Sequence, residues 1–255
     1  MYRVVTLTAA TLLCALAAST QAGAAELKML APGSTEGAFS GLIPQFEKAS
    51  GHTIAITYGP VGALAARVGK GEAVDVAILS EPATEDLRKS GKLVAGSEVV
   101  VAKVGIGAFV RKGDPKPDIS TLAAFMKSLT GARVIAYADP KLGGSSSILV
   151  GELMGSLDIT GSIAPKTKLV PPAKPLLDLV AGGGVDFGFN PIPEILTDPR
   201  VELVGPLPAP IQKYTNYVAS LVAGSQHGDV FKALIAFLAS KEATAVLQAK
   251  GFEAL

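Results

Sequence analysis

The densest chemistry in the chain lies in Asp139-Pro140-Lys141-Leu142-Gly143-Gly144-Ser145-Ser146-Ser147. The paired glycines let the backbone come close to a ligand, and the serines add hydroxyls to the unpaired N–H groups of a first helical turn. Such a loop suits an oxyanion or a carboxylate. The same residues would also serve as an ordinary loop with a serine cap, and the sequence leaves both readings open. Ser34 and Thr35 stand in a similar position after an earlier strand pattern, and Val61-Gly62-Ala63 offers a third junction where only backbone N–H groups could donate. If the three converge, they hold an anion without any free positive charge. Neither glycine loop has the Gly-Lys-Ser/Thr ending of a phosphate loop or the third glycine of the dinucleotide fingerprint, so ATP and NAD are not expected.

Asn190 follows an apolar run and precedes Pro191. Its amide either donates to an anion or caps the Pro191-Ile192-Pro193-Glu194 turn, with the local sequence favouring the cap. Pro171-Pro172-Ala173 leads into another helix, and Ala173 is the first residue there with an N–H to offer. Catalytic readings find little support. His52 sits in a turn, His227 at the start of a helix, and neither has a second histidine at ligand spacing. A serine nucleophile would want Gly-x-Ser-x-Gly, and Gly144-Ser145-Ser146-Ser147-Ile148 lacks the closing glycine. Lys141 reads as a solvated lysine. Asp75 and Asp186, each beside a strand, either pair across a sheet edge or cap backbone groups. No catalytic residue, metal or cofactor is expected. A rival reading is a periplasmic hydrolase or isomerase using the same cleft, which would demand a nucleophile, base or metal there.

These loops need strands and helices to hold them. Strand patterns at Glu26–Pro32, Thr53–Tyr58 and Val74–Leu79 are each followed by a loop and a helical spacing of apolar residues, such as Phe39, Leu42, Ile43 and Phe46. Three such units imply a parallel sheet covered on both faces. After a strand at Ala102–Val110 the series restarts, with helices at Leu122–Leu129, Ile148–Leu157 and Leu176–Val180. Strands at Arg133–Tyr137, Lys168–Val170 and Val185–Phe189 alternate with them. An alternating run at Tyr217–Ala223 and two closing helices end the chain. The segment after Pro208 is too short for a lobe of its own, so it must return to the first. The expected fold is α/β and two-lobed, with a mostly parallel sheet in each lobe. Residues 25–103 and 208–255 form lobe 1, residues 104–207 form lobe 2, and a double crossing makes the hinge. A single continuous sheet is the alternative.

Composition bounds the setting. Arg3 precedes an uncharged run from Val4 to about Ala18, and Ala22 and Ala24 provide small residues for cleavage. Residues 1–24 therefore read as a cleavable signal peptide, too short in its apolar part for an anchor, and the protein is expected in the periplasm. Cys14 lies in that run without the small residues of a lipoprotein site. Removing residues 1–24 of the 255 leaves 231 residues with no cysteine, and losing Arg3 leaves 22 basic against 22 acidic residues. A secreted chain without disulfides must rely on its apolar core. A neutral balance advertises neither nucleic acid nor an anionic membrane as partner.

The chain resembles periplasmic substrate-binding proteins of the molybdate-binding type, components of ATP-driven importers. The likeness rests on Ala31-Pro32-Gly33-Ser34-Thr35, Gly59-Pro60-Val61-Gly62-Ala63-Leu64, Gly71-Glu72-Ala73-Val74-Asp75-Val76, Asp139-Pro140 with Gly143-Gly144-Ser145, and Gly183-Gly184-Val185-Asp186-Phe187-Gly188-Phe189. It implies the two-lobed binding fold, capture of a small oxyanion or organic anion, a membrane permease as partner and a monomer. A sensory or interaction module with the same fold is the alternative. The resemblance assigns ligand contacts to Ser34, the backbone of Val61 and Gly62, the loop near Gly144 or Ser145, and Ala173. The family's second serine is replaced by Val61 and Gly62, and its closing tyrosine maps onto Pro191. Each lost hydroxyl facing a buried anion costs about 1.5–3 kcal/mol, so the two together predict molybdate binding weaker by a few orders of magnitude.

Overall fold

The computed structural model describes residues 24–172 and 174–253. The expected leader, apart from Ala24, and Ala173 lie outside the described residues. Nine strands form the framework: β1 (Glu26–Pro32), β2 (Thr53–Gly59), β3 (Val76–Ser80), β4 (Val99–Arg111), β5 (Ile135–Ala138), β6 (Thr167–Val170), β7 (Phe187–Pro191), β8 (Val201–Pro206) and β9 (Tyr214–Leu221). The helices are α1 (Glu36–Ser50), α2 (Val61–Gly69), α3 (Glu81–Lys89), α4 (Leu122–Gly131), α5 (Ser145–Ser156), α6 (Thr160–Ile163), α7 (Lys174–Ala181), α8 (Ile192–Ile195), α9 (Gly228–Leu238) and α10 (Lys241–Ala249).

The local patterns act as their residues dictate. In α1, Phe39, Leu42, Ile43 and Phe46 form one buried stripe, and the helix stops at Gly51, whose φ of 75° suits a residue without Cβ. Every residue of β3 is buried, as befits a strand covered on both faces. Asp75 and Asp186 cap backbone instead of pairing with each other. Asp75 accepts from the Lys28 N–H at 2.9 Å and from Ser225 Oγ at 2.7 Å, and Asp186 accepts from the Arg133 N–H at 2.5 Å.

The strand order is β2-β1-β3-β9-β4-β7-β5-β6, with β8 also on β4. Ladders β1–β2, β1–β3, β5–β6 and β5–β7 are parallel, whereas β3–β9, β9–β4, β4–β7 and β4–β8 are antiparallel. The sheet is therefore mixed, which corrects the expectation of mostly parallel strands. The cause is the returning chain: β9 enters beside β3 against its direction, and β4 runs on past β9 to meet β7 and β8.

Hydrogen bonding links eight strands into one path, with β8 attached beside it on β4, and the two halves of that path are joined through β4. Residues Val99–Gly105 of that strand pair with β9, and Ile106–Arg111 with β7 and β8. The cores divide at the same point. One is built from residues 27–104 and 217–252. Two others, drawn from residues 106–207, cover opposite faces of the β5–β7 sheet, with Phe125 and Phe189 meeting edge-on at 5.8 Å in the first of them. Where the chain crosses back, Gln212 donates to the Ile106 carbonyl at 3.0 Å and accepts from the Ile106 N–H at 3.3 Å. Strand β8 and the short helix α8 were not evident in the sequence.

Candidate functional site

Strands β1, β2, β5 and β7 end at a common cavity of about 260 Å³. Ligand sites of open α/β sheets lie at such carboxyl ends. After β1, the turn at Gly33-Ser34 leads into α1. After β2, Val61 opens α2. Past β5, Gly144 caps α5, and β7 delivers Asn190 and, through α8, Glu194. From the first core, β9 contributes Tyr217.

Ser34 is buried, and its Oγ donates to the Tyr217 hydroxyl at 2.9 Å. Tyr217 is the group that sequence reading missed. It brings a hydroxyl and a ring to the cavity from a later strand, β9. Burial, and secondarily the nearby Glu194, push its phenol up to about 12, while hydroxyls of Ser34, Ser146 and Ser145 pull it down less strongly. Ser145 Oγ is itself buried without a hydrogen-bond partner of standard geometry, so it is a free donor at the start of α5.

Other expected contacts fall into three groups. Val61, Gly144, Ser146 and Asn190 line the cavity with Ser34 and Ser145. Thr35 is fully buried but donates to the Pro32 carbonyl at 2.7 Å, which fixes the turn instead of facing the cavity. Gly62, Ala63 and Gly143 do not line it. The Gly62 N–H, expected to point at an anion, donates to the Gly143 carbonyl at 3.0 Å. That bond joins α2, packed in the first core, to the loop before α5, packed in the second. Gly143 can adopt the φ of 76° that turns its carbonyl this way. Ser147 donates to the Gly144 carbonyl at 2.7 Å, a local cap.

Asn190 does both things considered for it. It lines the cavity, and its Nδ2 donates to Glu194 Oε2 at 2.8 Å, holding the α8 turn. Glu194 is the second group that sequence reading missed. The residue is half-buried, and desolvation pushes its carboxyl up to about 7, with the Asn190 amide opposing. A protonatable base thus lies in a cleft for which the sequence suggested only hydroxyls and backbone donors. The cue available was a glutamate flanked by Ile192, Pro193 and Ile195. Glu36 and Tyr58 also line the cavity, and burial together with Glu36 pushes the Tyr58 phenol up to about 12. No lysine, arginine or histidine lines it among the described residues.

The histidines lie elsewhere. His52 Nδ1 accepts from the Ala25 N–H at 3.1 Å, and His227 occupies the N-cap of α9 without a side-chain bond to it. Among the described residues, no group of three or more His, Cys, Asp and Glu could hold a metal ion. Nor is any helix there long and apolar enough to cross a membrane.

A mixed α/β sheet with anion-donor loops at strand ends and helix starts is the architecture of a solute-binding protein. The chain belongs to the bacterial extracellular solute-binding proteins, whose family profile matches residues 27–253, and it is related to the molybdate-binding components of importers. It is 32% identical over 232 residues to an aconitate isomerase of Pseudomonas sp, covering 89% of this chain and 87% of that protein. To the molybdate-binding protein ModA of Azotobacter vinelandii it is 26% identical over 258 residues, covering 98% and 96%. Its fold matches the sulfate-binding protein SubI from Mycobacterium tuberculosis with a TM-score of 0.74 at 19% identity, over 89% of this chain and 86% of that one.

Proposed function

We propose that the chain captures a small organic anion, a compact polycarboxylate, in this cavity and delivers it to the permease of an ATP-driven importer in the periplasm, after removal of residues 1–24. One observation carries the choice of ligand: the cavity offers the hydroxyls of Ser34, Tyr217 and Ser145 and no cationic side chain among the described residues, in a volume of about 260 Å³. That volume falls just below the roughly 300–1,000 Å³ of pockets for drug-sized molecules, which suits a compact ligand. Donors of this kind recognise oxygen-rich anions, and the room exceeds the need of one tetrahedral oxyanion. Helix starts at α1 and α5 favour negative charge. Ser34, Val61, Gly144, Ser145, Ser146 and Asn190 are the assigned contacts, joined by Tyr217 and Glu194.

The reading includes two lobes, residues 25–103 with 208–255 and residues 104–207, that close on the ligand as a monomer. Support comes from the division of the cores at β4 and from the Gly62–Gly143 bond between them. A second reading, that the bound acid is also isomerised, is favoured by Glu194, whose carboxyl bonds to an amide and is protonatable near neutrality. The relative named aconitate isomerase suggests the unsaturated acid to try.

Thermal shift and calorimetry with molybdate, sulfate, citrate, cis-aconitate and trans-aconitate test the proposal. The polycarboxylates should saturate, with about 4 kcal/mol of stabilisation at a thousandfold excess over Kd. Ser34→Ala should weaken the responding ligand more than tenfold while leaving the fold intact. Saturation by molybdate alone, in the nanomolar range, would overturn the choice of ligand.

A further inference from the structure

Resting on the isomerase reading, we infer that Glu194 is the proton-transferring residue of the cleft: it takes a proton from the saturated carbon beside the double bond of an unsaturated polycarboxylate and returns it to the far carbon of the same allylic unit.

The geometry suits that task. Glu194 lines the cavity, and its Oε2 accepts from the Asn190 amide at 2.8 Å, which holds the carboxyl there; no other hydrogen bond to it is seen among the described residues. Glu194 is half-buried and lines the cavity between the buried Ile192 and Ile195, where desolvation disfavours the charged form. Its position near 7 lets it act as either acid or base at neutral pH. Tyr217 lies close enough for the two groups to feel each other, and its phenol, pushed up to about 12, stays protonated and able to donate.

The step balances with these groups alone. The C–H bond breaks, its electron pair spreads through the three-carbon unit onto the attached carboxylate, and the proton passes to Glu194. Charge gathers on carboxylate oxygens, where the Tyr217 and Ser145 hydroxyls can donate. The proton then forms a new C–H bond at the far carbon, leaving the double bond shifted and Glu194 ionised as at the start. No oxidant, reductant or metal takes part. Asn190 acts as a positioning residue.

Proton NMR in D2O with cis-aconitate reads each event. The wild-type protein should produce trans-aconitate and introduce deuterium at the methylene carbon. Glu194→Gln should lower both rates by at least a hundredfold while keeping Kd within tenfold, and Glu194→Asp should retain part of the exchange. Thermal melts establish that each variant is folded. Equal rates in wild type and Glu194→Gln would overturn the role of Glu194 and leave the isomerase reading intact. Wild-type binding without exchange or turnover would overturn both and leave capture standing. Absence of aconitate binding would overturn the proposal at its ligand.

Discussion

Glu194 places an ionisable group in a half-buried position where desolvation disfavours its charge, and this ties folding to pH. A carboxyl in the unfolded chain titrates at its ordinary value of 4.5, and in the folded protein at about 7. The folded state therefore binds the proton more tightly, and stability falls as pH rises from about 4.5 to about 7, then levels off. Tyr217 and the Asn190 amide flank the group, Glu36 and Tyr58 share its cavity, and no cation among the described residues there offsets the loss. Glu194→Gln should match wild type near pH 4 and exceed it by about 3 kcal/mol above pH 7, because each tenfold change in proton affinity is worth about 1.36 kcal/mol. Urea unfolding of the ligand-free protein at pH 4.5 and pH 8 measures this, and equal differences at the two values would contradict it. At this scale the sequence was only partly legible. Ser34 and the Gly144–Ser146 loop could be found because helix starts and glycines announce themselves locally. Tyr217 could not, because its bond to Ser34 spans 183 positions and no local pattern records it.

Among the elements, the approach of α2 to the loop before α5 is tight enough to test by a single methyl group. A Cβ on Gly62 would stand 3.0 Å from the Gly143 carbonyl oxygen and 3.3 Å from its Cα, so backbone would have to move. Gly62→Ala should weaken ligand binding roughly tenfold, or about 1.4 kcal/mol. The melting temperature of the ligand-free protein should change little, since the contact lies between cores and not within one. Calorimetry alongside a melt checks both halves; unchanged affinity would remove this contact from closure. The strand and helix series was legible because each apolar run obeys its own period, as Phe39 to Phe46 do. The direction of β9 was not, since alternation along Tyr217–Ala223 is the same whichever way a strand enters a sheet. Strand β8 was not legible, since Gly205 and Pro206 are poor strand formers, and Pro206 is tolerated because it sits at the strand's end.

For the whole molecule, the two-lobed reading predicts a change of shape. Small-angle scattering should record a smaller radius of gyration at saturating polycarboxylate than without ligand, and an unchanged curve at saturation would count against closure. The crossings near Ile106 and Gln212 are the places where such motion must be absorbed, because the chain passes between the cores there. Family membership and the general architecture were legible from glycine-marked segments spread along nearly the full chain. The mixed sheet was not, because it depends on the direction in which β9 enters.

The bond between Ser34 and Tyr217 also sets an order of events. Both residues belong to the part of the chain built on the first core, so this pair of hydroxyls is assembled before any solute arrives. If the lobes open and close as proposed, an incoming anion meets this platform first, and Ser145, Asn190 and Glu194, which share its cavity, complete the enclosure. On that two-lobed reading, the speed of capture would depend on Ser34 and Tyr217, and the time a molecule stays on the residues that close over it.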